Sequence, residues 1–170
     1  DKIHSMVAYA CEGLSNVSES QVEMNSGLQF YDGMTTDEIQ QILIKSANDL
    51  ITLENPNYQY VAARLLLFSL RKSLLHKLWD HPSVKDHVNK CIDLGVYDKE
   101  IVNWYDEDEL DQMNGYIKHD RDYLFSYAGM RQVIDKYLVQ DRSNGQIFET
   151  PQFMYMMIAA TLFRNYDKER

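Results

Sequence analysis

Proline and glycine are scarce, 3 and 7 in 170 residues, too few for the many tight turns of an all-β fold. Cysteine is scarcer still. Cys11 and Cys91 stand 80 positions apart, with no CxxC pair and no Cys/His cluster around either. That argues against a disulfide framework and fits a reducing, cytoplasmic setting. No apolar run approaches the roughly 20 residues needed to cross a bilayer, and the sequence does not open on a charged-then-apolar leader pattern. No membrane partner is expected. Positive charge is also short: 17 Lys and Arg against 26 Asp and Glu leave a net charge of −9. A body of that sign repels a phosphate backbone, so nucleic-acid binding is not expected. A single small nucleotide needs only a few local cations and stays compatible.

What is present is apolar and aromatic material at helical spacing. With 45% hydrophobic residues and 20 aromatics, the chain has ample substance for a core. Ile3, Val7, Ala10, Cys11 and Leu14 mark a first helix. Ser18 with Gln21, and Thr35 with Glu38, carry the capping-box spacing. They predict helices from about Glu19 to Phe30 and along the face Ile39, Ile42, Leu43, Ala47, Leu50. Asn55-Pro56 reads as a cap and helix-starting proline before a helix from about Tyr58 to Lys77, apolar on most sides and so central to a bundle. The first 80 or so residues therefore form a compact group of four helices.

His81-Pro82-Ser83 restarts the chain, with a helix running to about Leu94 and stopping at Gly95. Shorter helices are expected over Lys99 to Tyr105, from Asp106 (capped with Glu109) to Lys118, and over Leu124 to Lys136. The period then changes. Residues 137–140 and 146–149 flank Asn144-Gly145, a hairpin signal. Thr150-Pro151 starts a last apolar helix from Gln152 to Phe163, whose methionines Met154, Met156 and Met157 read as core.

Spacing alone identifies no chemistry. There is no P-loop, GxGxxG, GxSxG or HExxH run, and the five histidines have no second ligand at a metal-site spacing. Neither a metal nor a catalytic residue is expected in this segment. His119-Asp120-Arg121-Asp122 reads as a charged helix junction, with Asp122 capping the next helix and Arg121 paired to a carboxylate. Cys11 and Cys91, on apolar helix faces, read as buried thiols.

The ordered segments carry more than any one of them. "DGMTTDEIQQILIKSANDLI" followed by "NYQYVAARLLLFSLRK" resembles the ATP-cone of the class I ribonucleotide reductase large (alpha) subunit. "LGVYD", "IKHDRDYLFSYAGM", "KYLVQDRSNGQIFETPQFMYMMIA" and "FRNY" resemble the helical segment that follows it. The resemblance implies a mainly α fold: a four-helix cone remnant over residues 1–79, then the start of the large subunit's helical domain over 80–170, with one small hairpin. It implies an allosteric switch, with ATP permitting and dATP suppressing reduction of ribonucleoside diphosphates to deoxyribonucleotides. The switch acts through assembly with the small (beta) subunit. The active-site cysteines of the family lie in a barrel downstream, and Cys11 and Cys91 match none of them.

Carried over by position, the resemblance assigns nucleotide contacts to Lys2, Thr36 and Lys72, with Ile3 and Gln40 as weaker members. Gln40 stands where some relatives have histidine. The family's cone also opens with a β-hairpin bearing a Val-x-Lys-Arg-x-Gly run that covers the nucleotide, whereas this sequence starts at the lysine after it. The start at Asp1 and the apolar last helix together suggest a piece of a longer subunit. The alternative is a stand-alone or split-gene helical module that docks a partner protein without binding nucleotide. Each missing charged hydrogen bond lowers binding by about 1.5–3 kcal/mol, and a few such losses amount to roughly 10³-fold. The 170-residue polypeptide is therefore expected to bind ATP or dATP weakly or not at all. Tight dATP binding to it in a calorimeter would contradict this.

Overall fold

A computed structural model describes residues 2–76 and 78–166. The first half is built from α1 (Lys2–Cys11), α2 (Glu19–Gly27), α3 (Thr36–Asp49) and α4 (Tyr58–Leu75). The start of α3 follows from local chemistry: the Glu38 amide donates to Thr35 Oγ1 at 3.2 Å, and the Thr35 amide donates to Glu38 Oε2 at 2.8 Å. At α2 the box is only half made. Ser18 Oγ accepts from the Gln21 amide at 3.4 Å, but Gln21 Oε1 instead accepts from the Tyr58 hydroxyl at 2.7 Å. That hydroxyl also accepts from the Ser18 amide at 2.9 Å, so a tyrosine from α4 takes over the glutamine's return contact. α2 ends at Gly27 rather than Phe30.

α4 starts where the pattern predicts, but its cap position is Asn57, not Asn55. Asn57 makes no side-chain cap bond; its Nδ2 donates to the Ser15 carbonyl at 2.9 Å and so ties the α3–α4 loop to the end of α1. His76, in the left-handed region at φ 58°, ends α4 and donates its amide to the Lys72 carbonyl at 3.1 Å. The expected helix end at Lys77 lies outside the described residues.

The second half comprises α5 (Val84–Asp93), α6 (Ile101–Trp104), α7 (Glu107–Tyr116), a 3-10 helix (His119–Leu124), α8 (Tyr127–Gln132) with a π-helical turn (Val133–Tyr137), β1 (Gln140–Asp141), β2 (Gln146–Ile147) and α9 (Pro151–Phe163). Gly95 closes α5 at φ 70°, a backbone conformation for which glycine is best suited. The helix expected over Leu124 to Lys136 begins instead at Tyr127, because Ser126 Oγ caps it through the Gly129 amide at 3.2 Å. The hairpin is antiparallel, pairing Gln140 with Ile147 and Asp141 with Gln146. Its strands are shorter than the sequence suggests. Leu138 is taken up in closing the π turn, and Glu149 turns inward to accept from the Val139 amide at 2.8 Å. The fold is mainly α with this one small hairpin, as the pattern and the resemblance imply.

Two apolar cores result. The first collects α1 to α4 and continues through Met130, Val133, Ile134, Leu138 and Met154. The second collects Val84, Val88, Ile101, Tyr105, Leu110 and Met113 against Phe153, Met157 and Ala160. α9 thus feeds both cores, and Met154 and Met157 are core residues as expected, while Tyr155, Ile158, Leu162 and Phe163 remain exposed. Leu67, fully buried on α4, sits where truncation leaves a cavity. Leu67→Ala should lower unfolding free energy by about 2–5 kcal/mol. Leu53→Ala, at a position 97% exposed, should change it by less than about 0.5 kcal/mol. Urea unfolding of both variants separates these outcomes.

Candidate functional site

Three helices fix the residues assigned by resemblance. α3 and α4 are neighbours joined by the short segment 50–57 and so run antiparallel, and Gln40 Nε2 donates to the Leu65 carbonyl at 3.0 Å, which fixes their register. At about 1.5 Å rise per residue, Thr36 falls one turn from that contact toward the C-terminal end of α4, where Lys72 lies. α1 also runs antiparallel to α4. Asn57 meets Ser15, and Arg64 Nη1 donates to the carbonyls of Ala10 at 3.2 Å and Glu12 at 2.6 Å. Going back along α1 therefore leads toward the same end of the bundle. Lys2, Thr36 and Lys72 share that end, and all three are exposed.

Ile3 and Gln40 differ from these three. Ile3 is half-buried and packs against the first core. Gln40 is only 3% exposed, and its amide is bound to α4, so it pins two helices together. The first turn of α3 offers backbone N–H groups without intrahelical partners, and the capping box occupies the Glu38 amide. The box also fixes negative charge there. The Thr35 backbone amide, and then its hydroxyl, hold the Glu38 carboxyl below its ordinary range.

The most heavily buried polar cluster lies one residue from Lys72. Arg71 is 1% exposed. Its Nη2 donates to the His119 carbonyl at 2.8 Å and to Asp122 Oδ2 at 3.3 Å, and its Nη1 donates to the Tyr123 hydroxyl at 3.2 Å. The other Asp122 oxygen accepts from Gln152 Nε2 of α9 at 2.9 Å. Asp122 is therefore no helix cap: Ser126 caps α8, and Asp122 turns inward within the 3-10 helix to meet a charge from α4. Arg121, on the opposite face, is exposed. One signal for Arg71 was present in the sequence, since it stands three residues after Phe68, in line with the buried face of α4.

A second buried network joins the hairpin to α5. The Glu149 carboxylate accepts from the Tyr97 hydroxyl and the Val139 amide, and the Tyr97 oxygen lies 3.0 Å from His87 Nε2. Burial pushes the Glu149 and Asp122 carboxyls up from their ordinary values. Burial likewise pushes the thiols of Cys11 and Cys91 up to about 11, so both are neutral and poorly nucleophilic at pH 7. Among the described residues, no group of three or more His, Cys, Asp or Glu is placed to hold a metal ion. Nor is any helix among them long and apolar enough to cross a membrane.

With this geometry in place, known proteins give the family. The family described as "ATP cone domain" matches residues 1–73, and "Ribonucleotide reductase, all-alpha domain" matches residues 123–170. The alpha subunit of ribonucleoside-diphosphate reductase 1 from Escherichia coli (strain K12) is 49% identical over 169 residues, covering 99% of this chain. The alpha subunits from Haemophilus influenzae and Enterobacteria phage T4 are 47% and 42% identical over the same share. The chain belongs to the class I ribonucleotide reductase large-subunit family. It spans about a fifth (22%) of the length of these relatives.

Three imidazoles are a liability of this fold in acid. Burial, the first cause for each, lowers His87 and His119 to about 4 and His81 to about 3. His81 and His119 stack with ring centroids 3.6 Å apart, and His87 stacks on Phe153 of α9 at 3.9 Å. An unfolded histidine titrates near 6.5. Stability gained by keeping the rings neutral is thus complete above pH 6.5 and is lost as pH falls toward 4. The slope is up to about 1.4 kcal/mol per pH unit for each ring. The raised carboxyls act oppositely, favouring the fold as pH falls toward the ordinary carboxylate range. Urea midpoints should therefore drop between pH 7 and pH 5, with proton uptake on unfolding. Ring NMR signals of His81, His87 and His119 that titrate near 6.5 in the folded chain would rule out the neutral burial of these rings.

Proposed function

We propose that this chain acts as the N-terminal regulatory part of a ribonucleoside-diphosphate reductase large subunit. In this reading ATP bound at the end of the four-helix group permits reduction of ribonucleoside diphosphates to deoxyribonucleotides, and dATP suppresses it. Residues 1–79 form the cone and residues 80–170 begin the helical domain. The partners are the remainder of the large subunit and the small (beta) subunit, in the cytoplasm. No residue of this chain is assigned a catalytic role, and its two thiols are buried.

The observation that carries the reading is the shared end of α1, α3 and α4, where Lys2, Thr36 and Lys72 stand exposed in a chain of the cone family. Ammonium groups on flexible stems are suited to phosphate as point charges, and a helix N-terminus adds backbone donors and a favourable dipole. The acidic first turn of α3 opposes an anion, so the lysines must outweigh it. Ile3 offers an apolar edge beside Lys2. Gln40 contributes less, since its amide already holds α4. The docking-module alternative gains nothing from the relatives named above, which are all reductase subunits.

Amide NMR of the 170-residue chain, titrated with millimolar ATP and then dATP, tests this site. Shifts should concentrate at Lys2, Thr36 and Lys72. Lys72→Ala, which removes a charged hydrogen bond of about 1.5–3 kcal/mol, should raise the titration midpoint roughly 10- to 100-fold. Shifts clustered elsewhere, or a midpoint indifferent to Lys72, would sink the assignment.

A further inference from the structure

Lys72 and Arg71 are consecutive residues on the last turns of α4 with opposite fates: one is exposed, the other 1% exposed. We infer that the chain Arg71–Asp122–Gln152 is a latch that carries nucleotide occupancy at the end of α4 to α9. This deepens the proposed function and rests on it, since the signal originates at the site to which Lys72 belongs.

The case is one of stiffness. A buried ion pair holds its partners in register, because separating them leaves an uncompensated charge in a medium that solvates it poorly. Arg71 has no slack. Its two terminal nitrogens reach three acceptors, all on the 3-10 helix: the His119 carbonyl, Asp122 and the Tyr123 hydroxyl. The Arg71 guanidinium also lies over the Tyr123 ring, 5.3 Å from its centroid. Asp122 in turn holds Gln152 in the first turn of α9. A rotation or shift of the last turn of α4, produced by drawing Lys72 toward a phosphate, therefore moves Arg71. Arg71 cannot move without the 3-10 helix, and Asp122 passes that displacement to α9. α9 is a suitable receiver, because it is shared by both cores through Met154 on one side and Phe153 and Met157 on the other. Arg71, Asp122 and Gln152 are thus positioning residues that touch no nucleotide themselves.

The test uses the 170-residue chain, titrated with ATP into the millimolar range because its affinity is expected to be weak, and followed at two sets of probes. One set is the Thr36 and Lys72 amides. The other is the methyl groups of Met154 and Met157, on α9. In the unsubstituted chain both sets should shift with one common midpoint. Gln152→Met leaves the Arg71–Asp122 pair intact; it should preserve the Thr36 and Lys72 shifts and reduce the α9 shifts at least threefold. Arg71→Lys keeps the charge but lacks the planar fork, and should attenuate α9 in the same direction. It serves in place of Gln152→Met if thermal melting shows the latter unfolded. Full-sized α9 shifts in the folded variants would overturn the latch. So would an α9 that stays silent in the unsubstituted chain while Thr36 and Lys72 respond. If Thr36 and Lys72 themselves do not respond, the nucleotide site fails and the latch fails with it.

Discussion

α4 is enclosed on nearly every side, and that enclosure governs the rest. Its inward residues run from Tyr58 to Arg71 and include Val61, Ala62, Leu65, Leu66, Leu67, Phe68 and Leu70. A helix that is apolar almost all round has no stable place except at the centre of a bundle. α1 and α3 cover part of it. α8 and its π turn cover what they leave, through Met130, Val133 and Ile134. The two halves of the chain therefore meet on α4 rather than across a surface of their own. The few polar atoms on its buried sides must be satisfied there, because leaving one unpaired costs about 1–3 kcal/mol. That demand accounts for Gln40 on the Leu65 carbonyl and for the terminal nitrogens of Arg64 on the end of α1 and of Arg71 on the 3-10 helix, while the Nε of each arginine is buried without a partner.

These contacts set the geometry of the exposed end. The Gln40 bond fixes α3 against α4, and the Arg64 bonds fix α1 against α4. Lys2, Thr36 and Lys72 inherit their common location from contacts made several residues away. None of the three needs to pack in order to be positioned. The site is thus a by-product of helix register: side chains left in water keep their charge and their reach, while buried neighbours hold the backbone.

Much of the fold was legible locally. Thr35 with Glu38 and Asp106 with Glu109 start α3 and α7 because each box closes within four residues. Asn144-Gly145 marks the hairpin for the same reason. Legibility failed where a distant side chain took over a local role. Tyr58 displaces the return contact of Gln21, Asn57 reaches to Ser15, and Asp122 leaves the helix junction for Arg71. Each involves partners some 37 to 51 positions away. No spacing rule encodes such distances. The residues proposed to contact nucleotide were legible only through family resemblance, because an exposed lysine has no local signature. The same holds for His87, Tyr97 and Glu149, three unremarkable letters until the fold brings them together.

α9 shows why a polar link is worth burying. It is apolar on every side, so hydrophobicity alone does not decide its rotation about its own axis. Phe153, Met157 and Ala160, at i, i+4 and i+7, lie on one face and enter the second core, while Met154, about 100° round, enters the first. A rotation by one residue would still bury methionines, but would interchange the faces given to the two cores. Two directional contacts oppose it. Gln152 reaches Asp122 at the start of the helix, and the Tyr105 hydroxyl donates to the Ala160 carbonyl at 2.8 Å near its end. Hydrogen bonds weaken steeply with misalignment, so they discriminate between rotations that apolar burial treats alike. The buried charge of Asp122 thereby selects one packing of α9, and Arg71 supplies the counter-charge that makes that selection tolerable inside the protein.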